Sequence, residues 1–279
     1  MEATFLQSFL TTLEQWPVWY RIAFVALCLC VFWIVERAWP LFKLPYASWW
    51  THARTNLSLL FTTMVIGLVF AGLIVGIIDW GASAQFGLLY WFELPLWTEL
   101  LIALLVLDLM AQYIVHVLLH KIPWMWRLHI VHHSDTRVDA TTGTRHHPAD
   151  YLFREIFALL AIFILGLPLA FYLLYRFITI AFTYFIHANI KLPKVLDKTL
   201  SWVFVSPDMH KFHHHRDLPW TDTNYGGILS VWDRLFGTFT YENTESLRYG
   251  INVLDDSTSE NLAYQLALPF KADSAKLRS

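Results

Sequence analysis

Cysteine is almost missing from the 279 residues: only Cys28 and Cys30 occur, two apart in an apolar run. That spacing excludes a disulfide framework and a four-cysteine zinc or iron–sulfur site. Charge is scarce too, at 15% Asp, Glu, Lys and Arg with a net charge of -2. Without a basic surplus the chain has no means of neutralising a phosphate backbone, so nucleic acid is excluded as a partner. The first twenty residues contain no Lys or Arg, so the basic start of a cleaved leader is missing and insertion is expected to rely on the first spanning helix. No solenoid-period repeat, low-complexity tract, G-x-G-x-x-G fingerprint or H-E-x-x-H motif occurs.

What the chain has in excess is apolar and aromatic side chains, 56% and 17% of the total. Runs at 17–35, 57–79 and 94–120 approach or exceed the roughly 20 residues that cross a bilayer. A fourth apolar region, Ile156 to Ile186, is broken by Gly166-Leu167-Pro168, which predicts a helical hairpin with arms short enough to be re-entrant. Lys and Arg concentrate in the 36–56 loop, the 121–150 segment and the region after 190. By the positive-inside rule these face the cytosol and the N-terminus lies outside. The expected fold is an all-α integral membrane protein, with about three full transmembrane helices and a helical hairpin. Its expected parts are transmembrane helices over 1–120, a cytosolic segment over 121–150, the membrane hairpin over 151–189, and a cap and tail over 190–279.

Thirteen histidines are the second excess. His116 and His120 are four apart, and H-x-x-H-H occurs twice, as His129, His132, His133 and as His210, His213, His214. On a helix each such unit presents its imidazoles on one face. Chance scatter does not produce the pattern twice, and eight crowded imidazoles without a shared partner would be desolvated for no return. Neutral imidazole suits iron, zinc, copper and nickel, and eight ligands exceed one tetrahedral site, so two metals are expected. Asp108, Gln112, His116 and His120 form an i, i+4 stripe, making the intramembrane Asp108 a candidate to accept an imidazole N–H. Asp139, Asp222 and Asn224 are similar outer candidates, with Gly226 allowing a close turn. Arg176 reads as a side chain that snorkels to an interface.

In the order Asp108, 116-HVLLHKIPWMWRLHIVHHSD-135, 141-TTGTRHHP-148, 185-FIHANIKLP-193, 206-SPDMHKFHHHRD-217 and 222-DTNYGGILSVWDRLFGT-238, the chain resembles the membrane-bound fatty acid hydroxylase superfamily, with its sterol desaturases and alkylglycerol monooxygenase. The resemblance implies a cytosolic, histidine-rich helical cap holding a dimetal site of two non-haem irons, with zinc as a substitute in purified protein, and O2-dependent hydroxylation or desaturation of a sterol, fatty-acyl or alkyl-ether lipid. It implies His116, His120, His129, His132, His133, His210, His213 and His214 as ligands, His187 as a further one, and His147 as a ligand or its support. His146 and His215 fall where the family pattern asks for no histidine, and Val117 stands where relatives commonly carry Arg. Asp108, Asp222 and Asn224 are the expected catalytic residues. A separate electron donor is implied, either a reductase with a small carrier or a pterin, in a bacterial inner membrane or endoplasmic reticulum. The rival readings are a metal-dependent membrane lipid hydrolase and a histidine-rich metal transporter.

Overall fold

The computed structural model describes residues 4–43, 49–242, 244 and 247–271. Among them the regular structure is helical, with only two isolated β-bridges, Pro40 with Ile190 and Phe204 with Leu229. Helices α1 (Phe5–Gln15), α2 (Trp19–Ala38) and α3 (Trp49–Ala84) lead into α4 (Leu96–Asp108). A π-helical segment, Leu109–Ile114, joins α4 to α5 (Val115–Lys121). Then come α6 (Pro123–His133), α7 (Pro148–Leu165) and α8 (Leu169–His187). The cap carries α9 (Lys194–Leu200), α10 (Pro207–His213), α11 (Val231–Leu235) and α12 (Leu262–Ala267).

Four helical stretches are long and apolar enough to cross a membrane: Trp19–Ala38, Trp49–Trp91, Leu96–Lys121 and Leu169–His187. The first three match the expected spans. The fourth is one arm of the expected hairpin, and at 19 residues it is about 28 Å long, close to the hydrocarbon thickness, so that arm is not short. The turn between α7 and α8 is set by Gly166, whose φ of 66° and contact with Gly87 require glycine. A Cβ on Gly87 would lie 2.4 Å from the Gly166 Cα.

Burial is turned outward in the way a lipid solvent requires. Phe61, Leu68, Val69 and Ile34 are exposed on the helix exteriors, while the interior between α3, α4, α7 and α8 holds Phe70, Leu107, Ile162 and Phe171 with the small residues Ala103, Ala158 and Ala161. Small residues let the helix axes approach closely where hydrophobic expulsion from water is not available. At the cap end, buried Glu36 on α2 accepts from the Ala140 and Asn189 amides at 2.9 and 2.6 Å. This one carboxylate ties the segment after α6 and the segment after α8 to the same helix end, which brings the histidine-bearing elements together.

Candidate functional site

Helix α5, the length of α6, the end of α8 and α10 of the cap converge, and their histidines fall into two buried groups. One comprises His116, His120, His129, His133 and His213; the other His132, His187, His210 and His214. Within each group one ligand atom per residue lies within 4.8 Å of the others. The two H-x-x-H-H units are thus split between the groups: the members four apart, His129 with His133 and His210 with His214, stay together one turn apart on their helix, while the middle members His132 and His213 face the other centre.

The orientation of the rings decides what the groups can hold. His116, His132, His187 and His213 direct Nδ1 at the carbonyls of Tyr225, Arg145, Thr183 and Thr223, at 2.8, 3.2, 2.7 and 2.6 Å. A carbonyl only accepts, so these rings carry their proton on Nδ1 and present a bare Nε2 lone pair inward. His129 and His120 are fixed the same way by Asp150 at 2.7 Å and Asp222 at 3.2 Å. Yet Nε2 of His116 faces Nε2 of His129 at 3.0 Å, and Nε2 of His132 faces that of His187 at 3.2 Å. Neither nitrogen in such a pair has a proton to share, and Nε2 of His133, His213 and His214 are buried without a partner. Facing lone pairs in a buried site repel unless a cation lies between them, so the donor set fits a metal in each group.

Charge points the same way. Burial pushes His129 down to about 3 against the opposing pull of Asp150, and burial likewise pushes His213 down to about 3. Burial, then the neighbouring imidazoles, holds His132, His133, His210 and His214 well below the ordinary histidine value. Neutral imidazole is the form that ligates. Burial raises Asp222, but the hydrogen bond and charge of His120, followed by Lys121, carry it below the usual carboxylate range and keep it ionised.

Not every expected residue reaches the groups. His147 caps α7, accepting from the Ala149 amide at 3.1 Å, while its Nε2 meets the Leu266 carbonyl at 3.3 Å, so its ring is spent on backbone outside both groups. His215, for which no ligand role was expected, accepts from the Asp217 amide at 2.9 Å and lies outside the groups. Asp108 is buried but takes no imidazole N–H; it accepts from Trp232 Nε1 at 2.8 Å and the Leu229 amide at 3.2 Å. The π-helical segment explains the departure, since its wider turn interrupts the i, i+4 stripe between Asp108 and His116. Asn224, at φ 57°, spends its amide on the Met209 and Thr240 backbone, shaping the loop that offers the Tyr225 carbonyl to His116. Asp139 caps the Ala140–Thr144 turn and contacts His52 at 3.3 Å. Gly226 does sit in a close turn, where a Cβ would come 2.7 Å from the Leu229 carbonyl. Arg176 does not snorkel; it pairs with buried Glu155 at 3.0 Å.

Two participants were not singled out in the sequence. Asp150 accepts from both His129 and His146, at 2.7 and 3.1 Å, and His146 stacks on His132 with ring centroids 4.4 Å apart. The signal was an acidic residue two positions after the Pro of R-H-H-P, on the first turn of a helix. Asp150→Asn keeps an acceptor but removes the charge behind His129, and is expected to weaken metal retention about 10–100-fold; a chelator titration against wild type measures it, and an unchanged curve would mean that Asp150 does not support a ligand. Gly143 is the other. A Cβ there would meet the Thr183 carbonyl at 2.9 Å and His187 Nδ1 at 3.3 Å, so only glycine lets the Ala140–Thr144 turn pack against the end of α8.

The family model described as fatty acid hydroxylase matches residues 100–238. Among curated proteins the chain is 31% identical over 173 residues to ornithine lipid hydroxylase of Rhizobium tropici, covering 62% of this chain and 50% of that protein. It is 31% identical over 144 residues to alkylglycerol monooxygenase of Homo sapiens, covering 50% and 30%. A cholesterol 25-hydroxylase-like protein of Danio rerio is 28% identical over 133 residues, covering 47% and 52%. The chain therefore spans about half or less of the length of these relatives. No solved structure matches.

Proposed function

Because the chain belongs to the fatty acid hydroxylase family, we propose that it is an O2-dependent, non-haem di-iron enzyme that hydroxylates a membrane lipid. The observation that carries this reading is the pairing of proton-free Nε2 atoms, His116 against His129 and His132 against His187. Five imidazoles would hold one iron and four the other. When bound, the irons supply an oxidant strong enough for an unactivated C–H bond, which no side chain provides. The protein's part is to hold the rings by their Nδ1 protons, keep them neutral and exclude water around the reacting carbon. Hydroxylation is favoured over desaturation because the matched relatives are named as hydroxylases and monooxygenases.

The lipid enters from the bilayer at the cap end of the spans, and the concentration of Lys and Arg at that end supports a cytosolic orientation for it. The histidine-rich segments 121–150 and 190–279 act there as one cap, with the 151–189 hairpin as its membrane wall. Electrons come from a separate reductase with a small carrier, or from a pterin. Protein purified in mild detergent from iron-replete cells is expected to hold about two irons per chain. With a total lipid extract, a reductant and isotopically labelled O2, labelled oxygen is expected in one lipid fraction. Zinc in place of iron calls for reconstitution before the assay, because zinc displaces iron at imidazole sites. No metal in any preparation, or turnover without O2, would sink the proposal.

A further inference from the structure

A cavity of about 190 Å³ is lined by residues of α2, α3, α7, α8, the π-helical segment and the Ala140–Thr144 turn. Its upper end lies beside the second histidine group: Gly143, Thr144 and His146 line it, as do Arg154, which shares Asp150 with His146, and Thr183, whose carbonyl holds His187. Its other end is unlike a hydrocarbon pocket. Tyr151 and Arg176, whose side chains bond one another, line it there. Along α8, Arg176 is eleven residues from His187, about 16 Å deeper into the membrane.

Arg176 is held from behind. Glu155 accepts from it at 3.0 Å, and that carboxylate is buried and does not line the cavity. Glu155 and the Tyr151 hydroxyl together take two of the five N–H donors of Arg176. Donors left facing a cavity inside the bundle carry a desolvation cost unless an acceptor meets them. Ionisable groups at such depth, turned toward a cavity, mark a ligand path.

We infer that this polar end binds an oxygen-bearing group of the substrate. The substrate is then a lipid with a hydrogen-bond-accepting oxygen, as hydroxyl, carbonyl or carboxylate, separated from its reacting carbon by on the order of 10–15 Å. The inference rests on the lipid-oxidation reading and adds an orientation: the oxygenated end goes in first, and the carbon near the histidines belongs to the opposite end. A glycerophospholipid sitting normally in its leaflet presents its headgroup at the surface and does not meet this requirement. Because Glu155 already balances Arg176, a neutral hydroxyl or carbonyl suffices, and a carboxylate adds a charge-assisted bond.

The test is equilibrium binding of radiolabelled hexadecanol, hexadecanoate and hexadecane to the full chain in nanodiscs, with Thr179→Phe as a filled-cavity control. Hexadecanol and hexadecanoate are expected to bind about tenfold or more tighter than hexadecane, the scale of one hydrogen bond to a charged donor. Equal binding of the first two assigns a neutral end, and preference for hexadecanoate an anionic one; both support the inference. Tyr151→Phe and the double variant Glu155→Gln with Arg176→Gln should remove most of the preference without changing hexadecane, and the double variant leaves no unpaired buried charge. Hexadecane binding as tightly as hexadecanol, or a preference that survives the double variant, would overturn the inference. So would an equal fall for all three probes, which is what a mere clamp between α7 and α8 gives. Iron measured on the same preparations judges the metal reading separately, since binding needs no turnover.

Discussion

His132→Ala and His213→Ala are each expected to lose metal and to reduce activity by well over 100-fold. That is beyond the roughly 10–100-fold that follows loss of an outer partner, because a ligand itself is removed and water enters the place of its ring. The two variants probe different groups: His132 faces His187 across 3.2 Å, and His213 belongs with His116, His120, His129 and His133. His215→Ala is the matched control. Its ring is adjacent in sequence to His214 yet only caps the Asp217 amide, so its removal should cost about 1 kcal/mol of local stability and leave iron content and turnover near wild type. Iron per chain by elemental analysis, measured for all three beside wild type, separates the cases. If His215→Ala lost as much iron as His213→Ala, the ring assignment through His213, His214 and His215 would have to move by a residue.

The helices and most of the histidines that the structure gathers into the two groups were legible because their signals are local. A span is read from the length of an apolar run, the hairpin from Gly166-Leu167-Pro168, and the ligand fans from spacings of three and four. What escaped depends on register or on distant partners. Asp108 follows the i, i+4 rule from His116 only if the helix is uniform, and the π-helical segment between them is invisible to residue counting. His146 and His147 are neighbours in one motif, and their roles are set by where α7 begins. With His147 as the cap, His146 turns inward to stack on His132 and meet Asp150. The division of each H-x-x-H-H unit between two groups is likewise a property of how α6 and α10 face one another. Arg176 looked like an interface residue because its partner Glu155 is on the other arm of the hairpin, 21 positions away.

Arg145, in the same R-H-H-P element, is expected to give the largest loss of stability among residues that are not metal ligands. Its side chain is fully buried, with no exposed surface, and donates to the Val131 carbonyl at 2.9 Å, Asn56 Oδ1 at 2.8 Å, Ser134 Oγ at 3.1 Å and the Ser259 carbonyl at 2.6 Å. Those partners lie on or beside α6, on α3 and in the C-terminal segment, so one guanidinium joins three parts of the chain that share no local sequence. Its charge also faces buried Asp135. Burial raises that carboxyl, but His52, Arg145 and the Thr142 hydroxyl outweigh it and hold Asp135 ionised. Arg145→Met removes a cation and four donors while leaving two carbonyls and a carboxylate in the dry interior, a loss of about 3–5 kcal/mol. Arg145→Lys should recover only part of it, because an ammonium cannot span the same fork of acceptors. The Arg145 carbonyl holds His132 Nδ1 at 3.2 Å, so the disturbance reaches the second histidine group through the backbone. Heating series on the Met, Lys and wild-type proteins, scored for aggregation and for iron retained, should rank them in that order of increasing stability. A Met variant that melts with wild type would show that the buried cation is not what joins the cap to α3.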